Sequence, residues 1–107
     1  MKFKVIVGEE TFAVEVPTAM LQDGSEFFAK MDRDMDKGWQ MSRDYVEHPD
    51  QLERCQIVAD KLLTNIVNQN ETAAMLMAAY IVKRMPGVAG VDVDTTGEIQ
   101  NTELLYV

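Results

Sequence analysis

Hydrophobic and polar side chains alternate at the start of the chain. Phe3, Val5 and Val7 fall on one side, with Lys2, Lys4 and Ile6 on the other. This is the period of two expected of a strand with one buried face. Gly8-Glu9-Glu10 interrupts the pattern, which resumes with Phe12, Val14 and Val16 opposing Thr11, Ala13 and Glu15. Two β-branched runs around a glycine-containing three-residue loop predict a hairpin. Pro17 ends its second strand because it has no N–H to donate.

The period then lengthens. Asp23 and Glu26 have the spacing of a capping box, and Phe27, Phe28, Met31 and Met35 follow at helical intervals. Gly38 breaks or kinks this helix. Trp39 to Val46 is expected to resume it, with Trp39, Ser42 and Val46 on one side, until His48-Pro49 stops it. Asp50 and Glu53 form a second capping-box pattern. Beyond them Leu52, Cys55, Ala59, Leu62 and Ile66 recur at alternating intervals of three and four, and Val58 and Leu63 widen the stripe. Such a seam belongs to a helix packed closely on another helix. Asn68-Gln69-Asn70 is a polar break. Glu71 opens a third helix, Lys83 and Arg84 sit at its negative end, and Pro86-Gly87 stops it. Its stretch from Ala73 to Val82 is apolar all round, so it has to be covered on more than one side, as a central helix or in a subunit interface.

Val88, Val91 and Val93 begin a further strand, Thr95-Thr96-Gly97 is a turn, and Ile99 to Val107 is expected to form the last strand. The order is β-β-α-α-α-β-β, an α+β class in which helices pack on a small antiparallel sheet as one domain over residues 1–107. The opening stretch, MKFKVIVGEETFAVEVP, resembles the first hairpin of ubiquitin-like β-grasp proteins. Three helices follow where that fold has one main helix, and the resemblance implies no function for this chain.

Charge narrows the partners. The chain carries 18 acidic and 10 basic residues, a formal net charge of −8. A field of that sign opposes nucleic acid and anionic membrane surfaces, and favours a basic protein partner or a cation. The acidity is uneven, because residues 23–53 are carboxylate-rich and no basic residue follows Arg84. The single cysteine, Cys55, cannot form an intramolecular disulfide. A free thiol fits a reducing compartment, so a cytoplasmic location is expected. The start of the chain has no signal-peptide pattern, and the longest apolar run is about half of a membrane span.

Candidate chemistry is sparse. Asp32, Asp34 and Asp36 before Gly38 suggest a divalent-cation loop, with Asp44 as a further ligand. The spacing fits an EF-hand poorly, because the glycine comes one place late. In a helix Asp34 would point away from Asp32 and Asp36 at about 100° per residue. The eight methionines allow a Cu(I) reading through Met31, Met35 and Met41 with His48 or Cys55, against the alternative of deformable core packing. His48 and Cys55 are also the candidate residues for an enzyme whose site only the fold would assemble, although no catalytic constellation is visible. The leading expectation is a non-catalytic protein-binding or accessory module acting as a homodimer. Its candidate interface is Trp39 with Met75, Met77, Tyr80 and Ile81 of the over-apolar third helix.

Overall fold

The computed structural model describes residues 1–106. The N-terminal hairpin forms as β1 (Lys2–Val7) and β2 (Glu10–Glu15), with Phe3, Val5, Val14 and Val16 buried. The register is unbroken from Lys2↔Glu15 to Val7↔Glu10. The loop is therefore Gly8-Glu9, one residue shorter than expected, and two-residue loops are the connections whose twist best matches that of the strands.

Between Pro17 and the first expected helix lies a short helix that hydrophobic periodicity did not reveal, α1 (Thr18–Asp23). It displaces the expected cap. Asp23 closes α1, Gly24 is the N-cap of α2 (Ser25–Asp36), and no side chain caps α2. Phe28, Met31 and Met35 are the buried stripe of α2, as their spacing requires.

The largest departure follows. Trp39–Val46 is not helical but a second hairpin, β3 (Trp39–Met41) and β4 (Asp44–Val46). Gly38 adopts φ of 103°, a region that L side chains avoid, and this ends the helix instead of kinking it. A side chain at Gly38 would also collide with the Tyr45 ring, whose hydroxyl donates to the Lys37 carbonyl at 2.8 Å. Met41 is fully buried, Gln40 is exposed and Trp39 is half-buried, which is the alternation of a strand.

The remaining helices are α3 (Gln51–Val67) and α4 (Glu71–Arg84). The capping box of α3 is complete: Glu53 N–H donates to Asp50 Oδ1 at 2.8 Å, and Asp50 N–H to Glu53 Oε1 at 3.0 Å. Asn70 caps α4 through Ala73 N–H at 3.2 Å. Five consecutive residues of α3, Cys55 to Ala59, are buried, so α3 is enclosed on more sides than its expected stripe. Its first seam residue, Leu52, is 47% exposed. The extra cover comes from the chain's end. The Gln56 amide donates to the carbonyls of Gln100 and Thr102, both at 3.0 Å.

After α4 come β5 (Val88–Asp92), a 3₁₀ turn at Ile99–Asn101, and β6 (Glu103–Tyr106). The last strand is thus shorter than the expected Ile99–Val107, and Val107 lies outside the described residues. The sheet order is β2-β1-β5-β6, with β1 and β5 parallel and the outer pairs antiparallel. A parallel pair needs a long crossover, and here the crossover contains all four helices and the small hairpin. β1 and β5 approach closely at Gly90, where an added Cβ would lie 2.4 Å from the Lys4 carbonyl oxygen.

Gly90→Ala is therefore expected to cost roughly 1–3 kcal/mol, the range for overpacking a tight contact. Urea denaturation followed by circular dichroism measures this. An unchanged midpoint would mean that the two central strands are not so close.

Candidate functional site

The densest group of ionisable side chains joins three helices. Asp32 lies on the buried edge of α2, beside Phe28, Met31 and Met35. Its Oδ2 accepts from Arg84 Nε at 3.0 Å and Nη2 at 2.8 Å, and its Oδ1 accepts from Arg54 Nη1 at 3.3 Å. The Tyr80 hydroxyl also donates to Oδ1. Arg54 reaches Asp36 Oδ1 at 2.6 Å and donates to the Pro49 carbonyl at 2.9 Å. Arg84 lies over the Tyr80 ring, 5.3 Å from its centroid, and Tyr80 meets Phe28 edge-on at 6.1 Å. Two carboxylates and two guanidinium groups balance in charge.

The electrostatics follow from these contacts. Burial pushes the Asp32 carboxyl upward, but the hydrogen bonds from Tyr80 and Arg84, the charge of Arg84 and the Arg54 contact outweigh it and hold the group below the ordinary aspartate range. Burial raises the Tyr80 phenol, and its bond to Asp32 raises it further. Burial likewise pushes the Cys55 thiol up to about 11, with the charge of Asp32 adding to the shift and a hydrogen bond from Gln51 opposing it. Cys55 is therefore neutral near pH 7, and the hydrogen bond that its sulfur accepts comes from the Gln51 amide.

This arrangement divides the expected cation ligands. Asp32 and Asp36 take arginine partners, whereas Asp34 and Asp44 are exposed. Among the described residues no group of three or more His, Cys, Asp or Glu side chains comes together to hold a metal ion. Met31, Met35 and Met41 are buried in the same core as Cys55, whereas His48 is exposed and lies outside it. Of the expected interface, Met77, Tyr80 and Ile81 are buried in the chain's own core. Trp39 is half-buried, with Lys61 Nζ 4.4 Å from its ring centroid, and Met75 is half-buried at a groove. α4 is thus covered largely by its own chain. The guanidinium partners of Asp32 lie 22 and 52 residues away in sequence, and no local pattern announces them.

Two open grooves border the outer strands of the sheet. One, of about 660 Å³, has β2 from Phe12 to Glu15 on one wall, and Ile66, Glu71, Ala74 and Met75 on the other. The other, of about 580 Å³, lies between Leu52 and Gln56 of α3 and the β6 residues Leu104 and Tyr106. Among the described residues neither β2 nor β6 has a strand on its outer side. Among the described residues no helix is long and apolar enough to cross a membrane. No family model matches the chain, and no curated protein or solved structure matches it.

Asp32→Ala leaves two arginines and a tyrosine hydroxyl without their shared acceptor. Because the site is partly open to water, the expected loss is roughly 2–4 kcal/mol, around the lower part of the range for breaking a buried pair. The folded-state pKa of Asp32 lies below its unfolded value. Its contribution is therefore fully present above the ordinary aspartate value near 4 and is lost as pH falls through the folded value. Asp32→Asn should flatten the fall in stability below about pH 4. Equal acid slopes in both proteins would remove this assignment.

Cys55 is expected to react with a thiol reagent at pH 8 only as fast as the chain opens. Adding urea should accelerate labelling in step with unfolding, and rapid labelling of the folded protein would contradict the burial.

Proposed function

We propose that this chain is a small, non-catalytic binding module that works through the open edges of its sheet. One observation carries the reading. The densest charged cluster, Asp32, Asp36, Arg54, Tyr80 and Arg84, is engaged with itself where the helices meet, while two strand edges lie open beside grooves. Asp32, Arg54, Arg84 and Tyr80 satisfy one another. Among the described residues no buried side-chain nitrogen or oxygen lacks a partner. A preorganised catalytic group has a free atom aimed at a cavity, and neither groove beside the sheet is lined by a residue of this cluster.

An edge strand, in contrast, carries a row of free main-chain donors and acceptors, and strand addition is a common way to recognise an extended segment. A homodimer joined edge to edge is the self-associating form of the same reading. It draws less support from α4, of which Ala74 and Met77 to Ile81 are buried within the chain while Met75, Leu76 and Val82 are half-buried.

The experiment is selection of ligands from a displayed library of random linear peptides, followed by amide exchange of the complexes. Binders that slow exchange in β2 or β6 are expected. Binders that protect only helical amides, or none recovered at all, would overturn the proposal.

A further inference from the structure

The two outer strands are not equivalent, and the backbone phase of β2 can be read from its end. Met1 and Val16 exchange two hydrogen bonds: Val16 N–H donates to the Met1 carbonyl at 2.8 Å, and the Met1 amine donates to the Val16 carbonyl at 2.8 Å. In an antiparallel ladder, exchanging pairs alternate with non-exchanging ones. The unbroken register then makes Phe3/Val14, Val5/Phe12 and Val7/Glu10 the exchanging pairs. The main-chain groups of Thr11, Ala13 and Glu15 accordingly point away from β1. The groove borders two of these residues, Ala13 and Glu15.

Resting on the reading of the chain as an edge-binding module, we infer that β2 takes a foreign extended segment as a fifth strand. Its apolar side chains enter the groove against Phe12, Ile66, Ala74 and Met75, and Lys or Arg flanks them. Strand addition supplies the main-chain bonds, and alternate side chains of the guest fall into the groove. Met75 is half-buried and adaptable, which suits a floor that accepts differing apolar residues. Charge sets the flanks. Glu15 and Glu71 line the groove, Glu10 closes the far end of the strand, and no lysine or arginine lines it. A second copy of the chain would bring another net charge of −8 to this rim, whereas a basic segment is drawn to it.

The test uses a fluorescently labelled peptide of alternating Val and Thr, roughly seven residues long to span the edge at about 3.3 Å per residue. One version carries Lys at both ends and the other carries Glu. Anisotropy at low salt is expected to show the Lys version binding about five- to ten-fold more tightly, with the preference shrinking as salt rises. Ala13→Pro removes an outward N–H but no bond to β1, a placement that edge strands tolerate. It should weaken binding about ten-fold or more. Glu71→Lys should reduce the preference for the Lys version. Residue-resolved exchange provides a readout that needs no variant. In the free protein the Thr11, Ala13 and Glu15 amides should exchange quickly, and Phe12 and Val14 slowly. The peptide should slow the first three.

Equal binding of the two peptides, or protection without that alternation, would overturn the inference. So would a concentration-dependent dimer that protects the same three amides. Binding that maps to β6 would overturn the assignment to β2 and leave the edge-binding reading standing. Absence of peptide binding at either edge would remove both.

Discussion

The carboxylate of Asp32 is the point on which the helical layer turns. α2 presents a narrow buried stripe, Phe28, Met31 and Met35, and Asp32 sits one turn after Phe28 on the edge of that stripe. A charge placed there loses hydration, and its cost is offset only if partners arrive with good geometry. They come from both other long helices: Arg54 from the first turn of α3, and Tyr80 and Arg84 from the last turns of α4. Arg84 also lies where a cation is favoured by the helix dipole. Since each partner needs its own helix at a particular rotation and height, one carboxylate constrains the mutual setting of all three. The edge-on Phe28–Tyr80 contact and Arg84 over the Tyr80 ring fill the space around it.

The parts of the fold that were legible in the sequence are those whose determinants are local. The period of two in residues 2–16, the capping box at Asp50 and Glu53, and the seam from Cys55 to Ile66 each place an element by themselves. Trp39–Val46 forms a hairpin where the sequence predicts a helix, because three-residue strands hold too little alternation to outweigh a helical register continued from upstream. The signal that was available was Gly38 at the helix end, followed by Asp44-Tyr45-Val46, whose aromatic and β-branched residues favour strands. α1 was hidden for a related reason, since none of its six residues is fully buried and it leaves no apolar stripe. The enclosure of α3 could not be read because it depends on Gln56 meeting carbonyls more than forty residues away.

The same distinction separates the candidate sites. Asp32-Arg33-Asp34-Met35-Asp36 resembles a ligand string only while its neighbours in space are unknown. Once Arg54 and Arg84 are in place, two of its carboxylates act as counter-ions and the third faces water. The net charge of −8 is therefore not a uniform coat. Part of the acidity of the middle segment is neutralised where the helices meet, and the carboxylates left free stand on the surface, some of them beside β2.

What remains exposed is mostly backbone. Proteins commonly protect a sheet edge with a bulge, an interior proline or an inward charge. The β5–β6 side has a register irregularity between Val88 and Gly90, whereas β2 pairs with β1 across six positions with none. Its charges are confined to Glu10 and Glu15 at the two ends, and the interior, Thr11 to Val14, has no charge and no proline. A regular edge of this kind attracts other strands indiscriminately unless something nearby selects among them. Under the edge-binding proposal the groove between β2 and the junction of α3 and α4 supplies that selection, because a strand entering there must satisfy both an apolar floor and an acidic rim. The helical layer thus has two roles that depend on one another. The Asp32 cluster ties α2 to α3 and α4, and under the edge-binding proposal the α3–α4 junction decides which segments the open edge accepts.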